Sequence, residues 1–155
     1  MTEIAGQARQ FLKQAGVDQW QGEYPAARDF EEDVNRDIAY VLEEDGRVIA
    51  MAALSFEPEA AYAEIEGAWM ATGPYAVIHR MAVDGDCKGR GLAGRMIAEF
   101  ERICLERGVK AIRTDTHADN LPMNTMLKKN GFSYCGIIRL EYDRSRRAAY
   151  EKLLG

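Results

Sequence analysis

The sequence predicts an α/β fold of the α+β type, in which helices flank a single mixed β-sheet. A length of 155 residues suits one domain, so we expect residues 1–155 to form a single domain. The hydrophobic share of 47% and the charged share of 29% are typical of a folded globular protein. Helical and β-rich segments follow in the order α-α-β-β-β-α-β-α-β-β, which favours a mixed sheet with helices on its faces.

The helices are predicted from apolar residues spaced three and four apart, and Gly16, Gly108 and Gly131 mark where three of them end. The strands are predicted from runs of β-branched, aromatic and other apolar residues. Asp45-Gly46 between two such runs indicates a hairpin, because its turn needs positive φ. The predicted helices are 3–15, 26–36, about 92–107 and 121–130. The predicted strands are 38–43, 47–56, 76–83, 109–116, 133–140 and 147–154.

The charge balance excludes one class of function. Lys and Arg number 20 against 25 Asp and Glu, which gives a net charge of −5 at pH 7. Nucleic-acid binders rely on neutralising phosphates, so no nucleic-acid partner is expected. Residues 1–66 carry 15 acids and 5 bases, whereas residues 67–155 carry 10 acids and 15 bases. The second part therefore suits an anionic ligand. The first part either attracts a cationic acceptor or is a solvated acidic face.

The cysteines and the N-terminus predict a cytoplasmic protein without a metal. Cys87, Cys104 and Cys135 are odd in number and widely spaced, which is typical of reduced thiols. His79 and His117 do not have the spacing of metal ligands. The first residues do not form a secretory signal, and no apolar run approaches the ~20 residues that span a bilayer. We expect no membrane association.

The most informative segment is 81–95, in which a predicted strand is followed by the glycine-rich turn, which we define as residues 84–95 and which leads into a predicted helix. Glycines let the backbone approach a ligand closely, and the first N–H groups of a helix have no partner within it. Together with the helix dipole they form a site that suits phosphate. Lys88, Arg90 and Arg95 add positive charge. The alternative is a solvated turn that only needs to bend tightly.

Two well-known phosphate-binding motifs match this turn poorly. Gly89-x-Gly91-x-x-Gly94 matches the dinucleotide fingerprint, which favours a nucleotide-dependent oxidoreductase as one alternative. However, Gly89 comes six positions after Val83, whereas the fingerprint begins directly after its strand. A Walker loop is excluded because no Gly-Lys-Ser/Thr follows.

The turn resembles the acyl-CoA pyrophosphate loop of the GNAT superfamily of N-acetyltransferases, which is written Arg/Gln-x-x-Gly-x-Gly/Ala. Lys88 stands at the Arg/Gln position, Gly91 at the glycine and Ala93 at the last small residue. A second family signature, an Asn followed by a helix and Gly-Phe, resembles the segment 120–132, which begins with Asn120. The order of elements also agrees, so the resemblance covers nearly the whole chain.

The resemblance implies a sheet that splays at its centre, between the parallel strands 76–83 and 109–116, and acetyl-CoA as the cosubstrate. The pantetheine arm would lie in the gap, and the pyrophosphate would bind amides of residues 89–94. Asn120 would contact the cofactor arm, cap the following helix, or do both. The residues implied in cofactor binding are Met81, Ala82, Val83, Lys88, Gly89, Arg90, Gly91, Leu92, Ala93, Gly94, Arg95 and Asn120.

The implied reaction is acetyl transfer to a primary amine of a small molecule or peptide by direct attack, which needs a base for the ammonium proton. Many family members place a Tyr seven residues after the motif Asn as an acid, but here that position is Leu127. This departure motivates an alternative function, a non-catalytic module that binds or senses acyl-CoA. Asp115 aligns with a position that is a catalytic acid in some relatives. Its alternative role is an ion pair with Arg113 or another base.

The two histidines are the other candidate catalytic residues. His117 is a base with an unperturbed pKa of roughly 6.5, or a loop residue that bonds the turn at Asp119-Asn120. We expect His79 to share a strand face with Met81 and Val83, which would aim it at the thioester. The alternative for His79 is a hydrogen-bonded histidine of the sheet.

The acceptor side is the least readable part of the sequence. In the family the first two helices and their connection commonly wall the acceptor pocket. Trp20, Tyr24 and Trp69 are candidates to hold an amine by cation–π contact, or they anchor the loops to the core. The arginines 144, 146 and 147 predict a solvated turn before the last strand, or a contact with the CoA 3′-phosphate. The identity of the acceptor, the acyl length and the existence of a homodimer stay open.

Overall fold

A computed structural model describes residues 1–155 and contains a seven-stranded sheet, four α-helices and two 3-10 helices. The α-helices are α1 (Thr2–Gln14), α2 (Ala27–Asn35), α3 (Leu92–Glu106) and α4 (Leu121–Lys129). The strands are β1 (Ala39–Glu44), β2 (Arg47–Ser55), β3 (Glu66–Gly67), β4 (Ala76–Val83), β5 (Ala111–Thr116), β6 (Ser133–Arg139) and β7 (Arg146–Leu153). The 3-10 helices are Ala60–Ala63 and Gly85–Cys87. Every predicted helix and strand is confirmed to within two residues, whereas β3 and the 3-10 helices were not predicted.

The sheet is mixed and is splayed at its centre, as expected. Its strand order is β1-β2-β4-β5-β7-β6-β3, and only the β4–β5 pair is parallel. These two strands pair only at Ala76 with Ile112 and at Val77 with Arg113. Beyond Val77 they separate, although β4 continues to Val83. The central gap therefore leaves one edge of β4 without a strand partner.

A β-bulge in β4 accompanies this separation. Met51 of β2 pairs with Ala82 and Ala53 pairs with His79, so that Ala52 stands opposite two residues, Arg80 and Met81. Arg80 has a φ of 52°, an unusual value for a residue with a side chain. The extra residue breaks the alternation of side chains along the strand. Side chains before and after the bulge therefore do not follow the faces that simple alternation predicts.

Apolar residues pack on both faces of the sheet. The larger core lies between the sheet and helices α3 and α4, and it contains Phe100, Ile97 and Leu127. A smaller cluster on α1, α2 and the sheet contains Ile4, Phe30 and several partners. Burial of these stripes is the main source of stability, because apolar side chains leave water when they pack. None of the helices has both the length and the apolar composition needed to cross a membrane.

Candidate active site

The glycine-rich turn is held in place by buried residues at its base. The Asp84 carboxylate accepts a hydrogen bond from the Asp86 N–H and forms an ion pair with Arg47 at 2.7 Å. Cys87 is buried in the larger core. Gly89 and Gly91 then adopt φ values of 79° and 71°, which glycine reaches without strain. The tip of the turn is therefore exposed while its base is fixed.

The start of α3 presents a run of unpaired N–H groups. The backbone N–H groups of residues 89–94 donate no hydrogen bond within the protein, and the first such bond of the helix is from Arg95 to the Gly91 carbonyl. No atom lies within 4 Å of the point where a Cβ on Gly91 would stand, so the space in front of it is open. Unpaired donors at the positive end of a 15-residue helix are the arrangement that binds phosphate.

The positive charge around the turn is partly neutralised. Arg90 forms an ion pair with Glu44 at 2.7 Å. Lys88 places its ammonium 3.8 Å from the centre of the Phe11 ring and has no carboxylate partner. Arg95 is exposed and also has none. Lys88 and Arg95 are therefore the two cations of the turn that are available to an anion.

A cleft of about 240 Å³ passes through the sheet in the gap between β4 and β5. At one end its walls are apolar and come from the core beneath α3 and α4: Met81, Ile97, Met123 and Leu127. At the other end its walls carry titratable side chains: Tyr24, Glu59, His79, Arg80, Asp115, Tyr142 and Arg147. Thr114 lies at the point of separation, where its hydroxyl donates to the Ile78 carbonyl at 3.0 Å. The cleft therefore connects the two faces of the sheet.

Two carboxylates and a histidine lie at the polar end of the cleft. Glu59 Oε2 lies 3.5 Å from His79 Nε2. Burial raises the pKa of the Glu59 carboxyl, and the nearby Asp115 raises it further. Burial lowers the pKa of His79 to about 4, and the positive charge of Arg80 acts in the same direction. His79 is therefore neutral at pH 7 and can accept a proton.

The β-bulge separates His79 from the face on which it was expected. Met81 packs into the larger core, beside α3, whereas His79 faces Glu59. The expectation that His79 shares a face with Met81 and Val83 is therefore wrong. The cause is the extra residue at Arg80, whose guanidinium pairs with both oxygens of Asp33 and donates to the Tyr24 hydroxyl at 2.8 Å. This network ties the bulge to α2 and to the loop before it.

Asp115 does not form the ion pair with Arg113 that was one interpretation of this residue. Its carboxylate accepts a 2.6 Å hydrogen bond from the Tyr62 hydroxyl, whereas Arg113 pairs with Glu151 at 2.8 Å. Burial raises the pKa of Asp115, and the bond from Tyr62 and the charge of Arg147 oppose this rise. Asp115 is therefore a carboxylate that faces the cleft without a salt bridge.

The chain matches the model of the acetyltransferase (GNAT) family over residues 7–132. It belongs to that family. A GNAT acetyltransferase from Streptococcus agalactiae 2603 is similar over 99% of this chain and 88% of its own, with 32% identity and a TM-score of 0.88. A protein from Staphylococcus aureus MU50, proposed to be an acetyltransferase, covers 99% of this chain and 90% of its own, with 26% identity and a TM-score of 0.74.

A protein from Bacillus anthracis str. Ames, proposed to be a streptothricin acetyltransferase and crystallised with acetyl coenzyme A, shares the GNAT fold. It is 19% identical, with a TM-score of 0.59, over 76% of this chain and 62% of its own. A comparison with curated proteins gave no significant match. The GNAT fold predicted from the glycine-rich turn and from segment 120–132 is thus confirmed.

The second GNAT signature places Asn120 at the start of α4, where it caps the helix. Its Oδ1 accepts a hydrogen bond from the Met123 N–H at 3.4 Å, and its Nδ2 donates to Gln19 Oε1 at 3.1 Å. Gln19 Oε1 also accepts from the Thr116 hydroxyl at 3.2 Å. Gln19, which the sequence did not single out, therefore joins the loop between α1 and α2 to the end of β5 and lines the cleft.

The two remaining candidates on this side have distinct positions. His117 does not line the cleft. Its Nδ1 accepts a hydrogen bond from the Asp119 N–H at 3.1 Å, which agrees with its interpretation as a loop residue that bonds the turn. Leu127, at the GNAT tyrosine position, is buried at the apolar end of the cleft. No hydroxyl reaches the cleft from that position.

The three aromatic acceptor candidates of this GNAT protein do not come together. Trp20 and Tyr24 line the cleft. Trp69 does not, because its indole N–H donates to the Tyr62 carbonyl at 2.9 Å and its ring packs against the Arg113 guanidinium. The contacts of Trp69 are those of a residue that anchors its loop.

The arginine run near the C-terminus is only partly the expected solvated turn. Arg144 and Arg146 are exposed, but Arg147 lies in β7, is buried and lines the cleft of the GNAT fold. The interpretation of Arg147 as a turn residue was wrong because residue 147 belongs to the strand itself, where alternation places its side chain on the buried face and that of Arg146 on the exposed one. Glu59 and Arg80 were also missed. Glu59 lies in a segment without periodicity, and Arg80 owes its position to the bulge.

Proposed function

We propose that this acetyltransferase moves an acetyl group from acetyl-CoA to a primary amine of a small molecule or a peptide, by direct attack of the amine. The observation that carries the proposal is the cleft through the sheet, which is apolar beside α3 and polar at the opposite end. An acyl donor and an amine can approach each other from the two faces. The acetyl coenzyme A complex of the Bacillus anthracis relative supports this choice of donor.

The backbone around the glycine-rich turn fits a diphosphate and an extended arm. The amides of residues 89–94 have no acceptor in the protein, and we assign the diphosphate to them, with Lys88, Arg90 and Arg95 around it. The β4 edge at Met81, Ala82 and Val83 has no strand partner on the β5 side, so its free groups suit the arm. Acetyl-CoA would supply an activated thioester there. An N–H on this edge would stabilise the charge that develops on the thioester oxygen.

The side chains of the cleft favour direct attack over an acetylated protein intermediate. None of the cysteines lines the cleft: Cys87 and Cys104 are buried in the larger core and Cys135 lies in β6. The two threonines that do line it donate their hydroxyls, Thr114 to the Ile78 carbonyl and Thr116 to Gln19. An activated nucleophile needs an adjacent base, which neither of them has.

Glu59, His79 and Asp115 are the groups that we propose to take up the ammonium proton. A base works best when its pKa is close to the working pH, and burial raises the pKa of both carboxyls in that direction. The lowered pKa of His79 makes it a weak base, so its proposed role is a relay: a neutral imidazole beside Glu59 can accept a proton at one ring nitrogen while it donates from the other. We leave His117 out of the proton path because it lies outside the cleft.

The test is release of CoA thiol from acetyl-CoA in the presence of a panel of amines, with mass spectrometry of the product. We expect an N-acetylated amine and a stoichiometric thiol. Glu59→Gln and Asp115→Asn should each change the acidic limb of the pH–rate profile if that carboxylate is the base, and His117→Ala is the control that should leave the profile unchanged. Absence of acetyl-CoA binding in calorimetry, together with no thiol release, would overturn the proposal.

A second candidate, a module that binds acyl-CoA without turnover, is favoured by Leu127. This leucine fills the place from which a hydroxyl would protonate the leaving thiolate. The loss is tolerable for an enzyme, because a thiol with a pKa of about 8.5 is already a fair leaving group. Tight acetyl-CoA binding with no acetylated product over hours, across the whole panel, would select the binding module.

A further inference from the structure

Arg147 is a buried arginine without a carboxylate partner. Only 7% of its surface is exposed, and its side chain makes a single hydrogen bond, from Nη1 to the Arg146 carbonyl at 3.0 Å. The other arginines with exposure this low or nearly so, Arg80 and Arg113, are each paired with a buried carboxylate, Asp33 and Glu151. Arg147 is therefore the exception among the arginines of the interior.

The remaining N–H groups of Arg147 are accessible and are not enclosed by protein. No buried side-chain nitrogen of the protein lacks a hydrogen bond, so the guanidinium nitrogens without partners must reach open space. Arg147 lines the cleft, which is the open space beside it. Burying a charge without a partner is unfavourable, and a guanidinium fork in this state is suited to a carboxylate that binds through two parallel hydrogen bonds.

Arg147 lies at the same end of the cleft as two carboxylates, without forming an ion pair with either of them. Asp115 pairs with Ala149 across β5 and β7, so Arg147, two residues before Ala149, lies on the same face and diagonal to Asp115. No ion pair joins the two side chains within 4.0 Å, although the charge of Arg147 is close enough to lower the pKa of Asp115. Glu59 and His79 line the same end of the cleft. Arg147, the one cation of this end without a carboxylate partner, thus faces a common space with two carboxylates.

We infer that Arg147 binds a carboxylate of the acceptor, and that the acceptor is a small free amino acid whose amine faces Glu59, His79 and Asp115. The inference rests on the proposed function and narrows its substrate class. A polyamine would place a second positive charge near Arg147, and a peptide N-terminus would offer no carboxylate beside its amine. A cleft of about 240 Å³ also favours a small acceptor, since pockets for drug-sized ligands have roughly 300–1,000 Å³.

The role of Arg147 is to select and orient the acceptor. The amine nitrogen forms a bond to the acetyl carbon, the carbon–sulfur bond breaks, and the sulfur leaves with the bonding electrons. The amine loses its proton to a carboxylate of the cleft or to water, and the thiolate takes up a proton from solvent. Arg147 holds the carboxylate throughout and exchanges no proton, because a guanidinium stays charged.

The experiment compares free amino acids with their carboxamides as acceptors for the wild-type protein. The amine of a carboxamide is less basic and more often neutral, so intrinsic reactivity favours the amide, and a preference for the acid reports recognition. We expect kcat/KM to be at least about tenfold higher for the best amino acid than for its amide, because only the acid can form a charge-assisted bidentate pair with Arg147. Equal values, or faster acetylation of the amide or of a polyamine, would overturn the inference while leaving the proposed function intact.

The Arg147→Gln variant tests whether Arg147 causes the preference for the free amino acid over its amide. It should lower kcat/KM for the amino acid at least about tenfold more than kcat/KM for the amide, and leave the acetyl-CoA dissociation constant unchanged. Arg146→Gln, on the opposite face of β7, is the matched control and should retain the preference. Weaker acetyl-CoA binding in a folded Arg147→Gln protein would instead assign Arg147 to a CoA phosphate and overturn the inference. If Arg147→Gln does not fold, Arg147→Lys replaces it, and the wild-type comparison of amino acid with amide still tests the inference. If no amine is acetylated at all, the proposed function fails and the inference fails with it.

Discussion

Protonation of His79 should destabilise the protein at acidic pH. Burial lowers the pKa of this imidazole from 6.5 to about 4 in the folded state, and the charges of Arg80 and Arg36 add to the effect. In the unfolded chain the pKa returns to about 6.5. Between these values the unfolded chain binds the proton and the folded protein does not, so stability rises with pH. The contribution of His79 is thus fully present above about pH 6.5 and is lost as the pH falls toward about 4.

The size of the effect follows from the two pKa values. Their difference corresponds to about 3 kcal/mol in total, and linkage gives about 2 kcal/mol of this between about pH 7.5 and pH 5. The Glu59 carboxylate, 3.5 Å from His79 Nε2, favours protonation and works against the loss. Burial raises the pKa of Glu59, so this opposition weakens as the pH falls. We therefore expect a loss of between about 1 and 2 kcal/mol over this range.

Urea unfolding of the wild type and of His79→Gln at a series of pH values measures this contribution. Glu59 and Asp115 titrate in both proteins, so the difference between the two free energies of unfolding isolates His79. The wild type should lose its stability relative to the variant as the pH falls from about 7.5 to about 5. A difference that is independent of pH would refute the reasoning. A difference that moves in favour of the wild type at acidic pH would show that Glu59 holds His79 protonated in the folded state.

Three further perturbations probe the turn, the bulge and the acid. Gly91→Asp should weaken acetyl-CoA binding in calorimetry at least about tenfold, because the new carboxylate would repel the phosphate. The uncharged control is Gly91→Asn, and equal affinities of the two variants would contradict the phosphate site. Arg80→Met should lower the free energy of unfolding in urea by about 3–5 kcal/mol, since the buried Asp33 carboxylate loses its partner; a loss below about 1 kcal/mol would contradict that pairing. Tyr62→Phe should raise the pKa of Asp115 in an NMR titration, because the hydroxyl stabilises the carboxylate; an unchanged value would show that the hydrogen bond does not control this pKa.

The regular elements and the glycine-rich turn could be predicted because their signals are local. Helical spacing, the Asp45-Gly46 hairpin and the glycines that end helices depend on residues a few positions apart. Asp45 and Gly46 adopt φ values of 52° and 78°, as the hairpin requires. The same holds for the unpaired N–H groups that we propose to bind phosphate, since the turn and the helix after it contain all of them.

The segment between β2 and β4 could not be predicted because distant residues determine its conformation. Glu151, in β7, is fully buried and accepts hydrogen bonds from the N–H groups of Met70 and Ala71. The Tyr75 hydroxyl accepts from the Glu59 N–H at 3.1 Å. These contacts join residues up to 81 positions apart, and they bring Glu59 to the cleft. No pattern within the segment itself contains that information.

The bulge at Arg80 explains why the site has two different ends. In a regular strand His79 and Met81 would lie on one face, and the cleft would have a histidine among its apolar walls. The extra residue turns Met81 toward α3 and leaves His79 with Glu59 on the other face. The strained φ of Arg80 is held by its pairing with Asp33 and by its bond to Tyr24, both from elements that pack on the polar face. The α2 region and the loop before it therefore determine which side chains β4 presents to the cleft, because they hold the one residue that separates its apolar wall from its titratable wall.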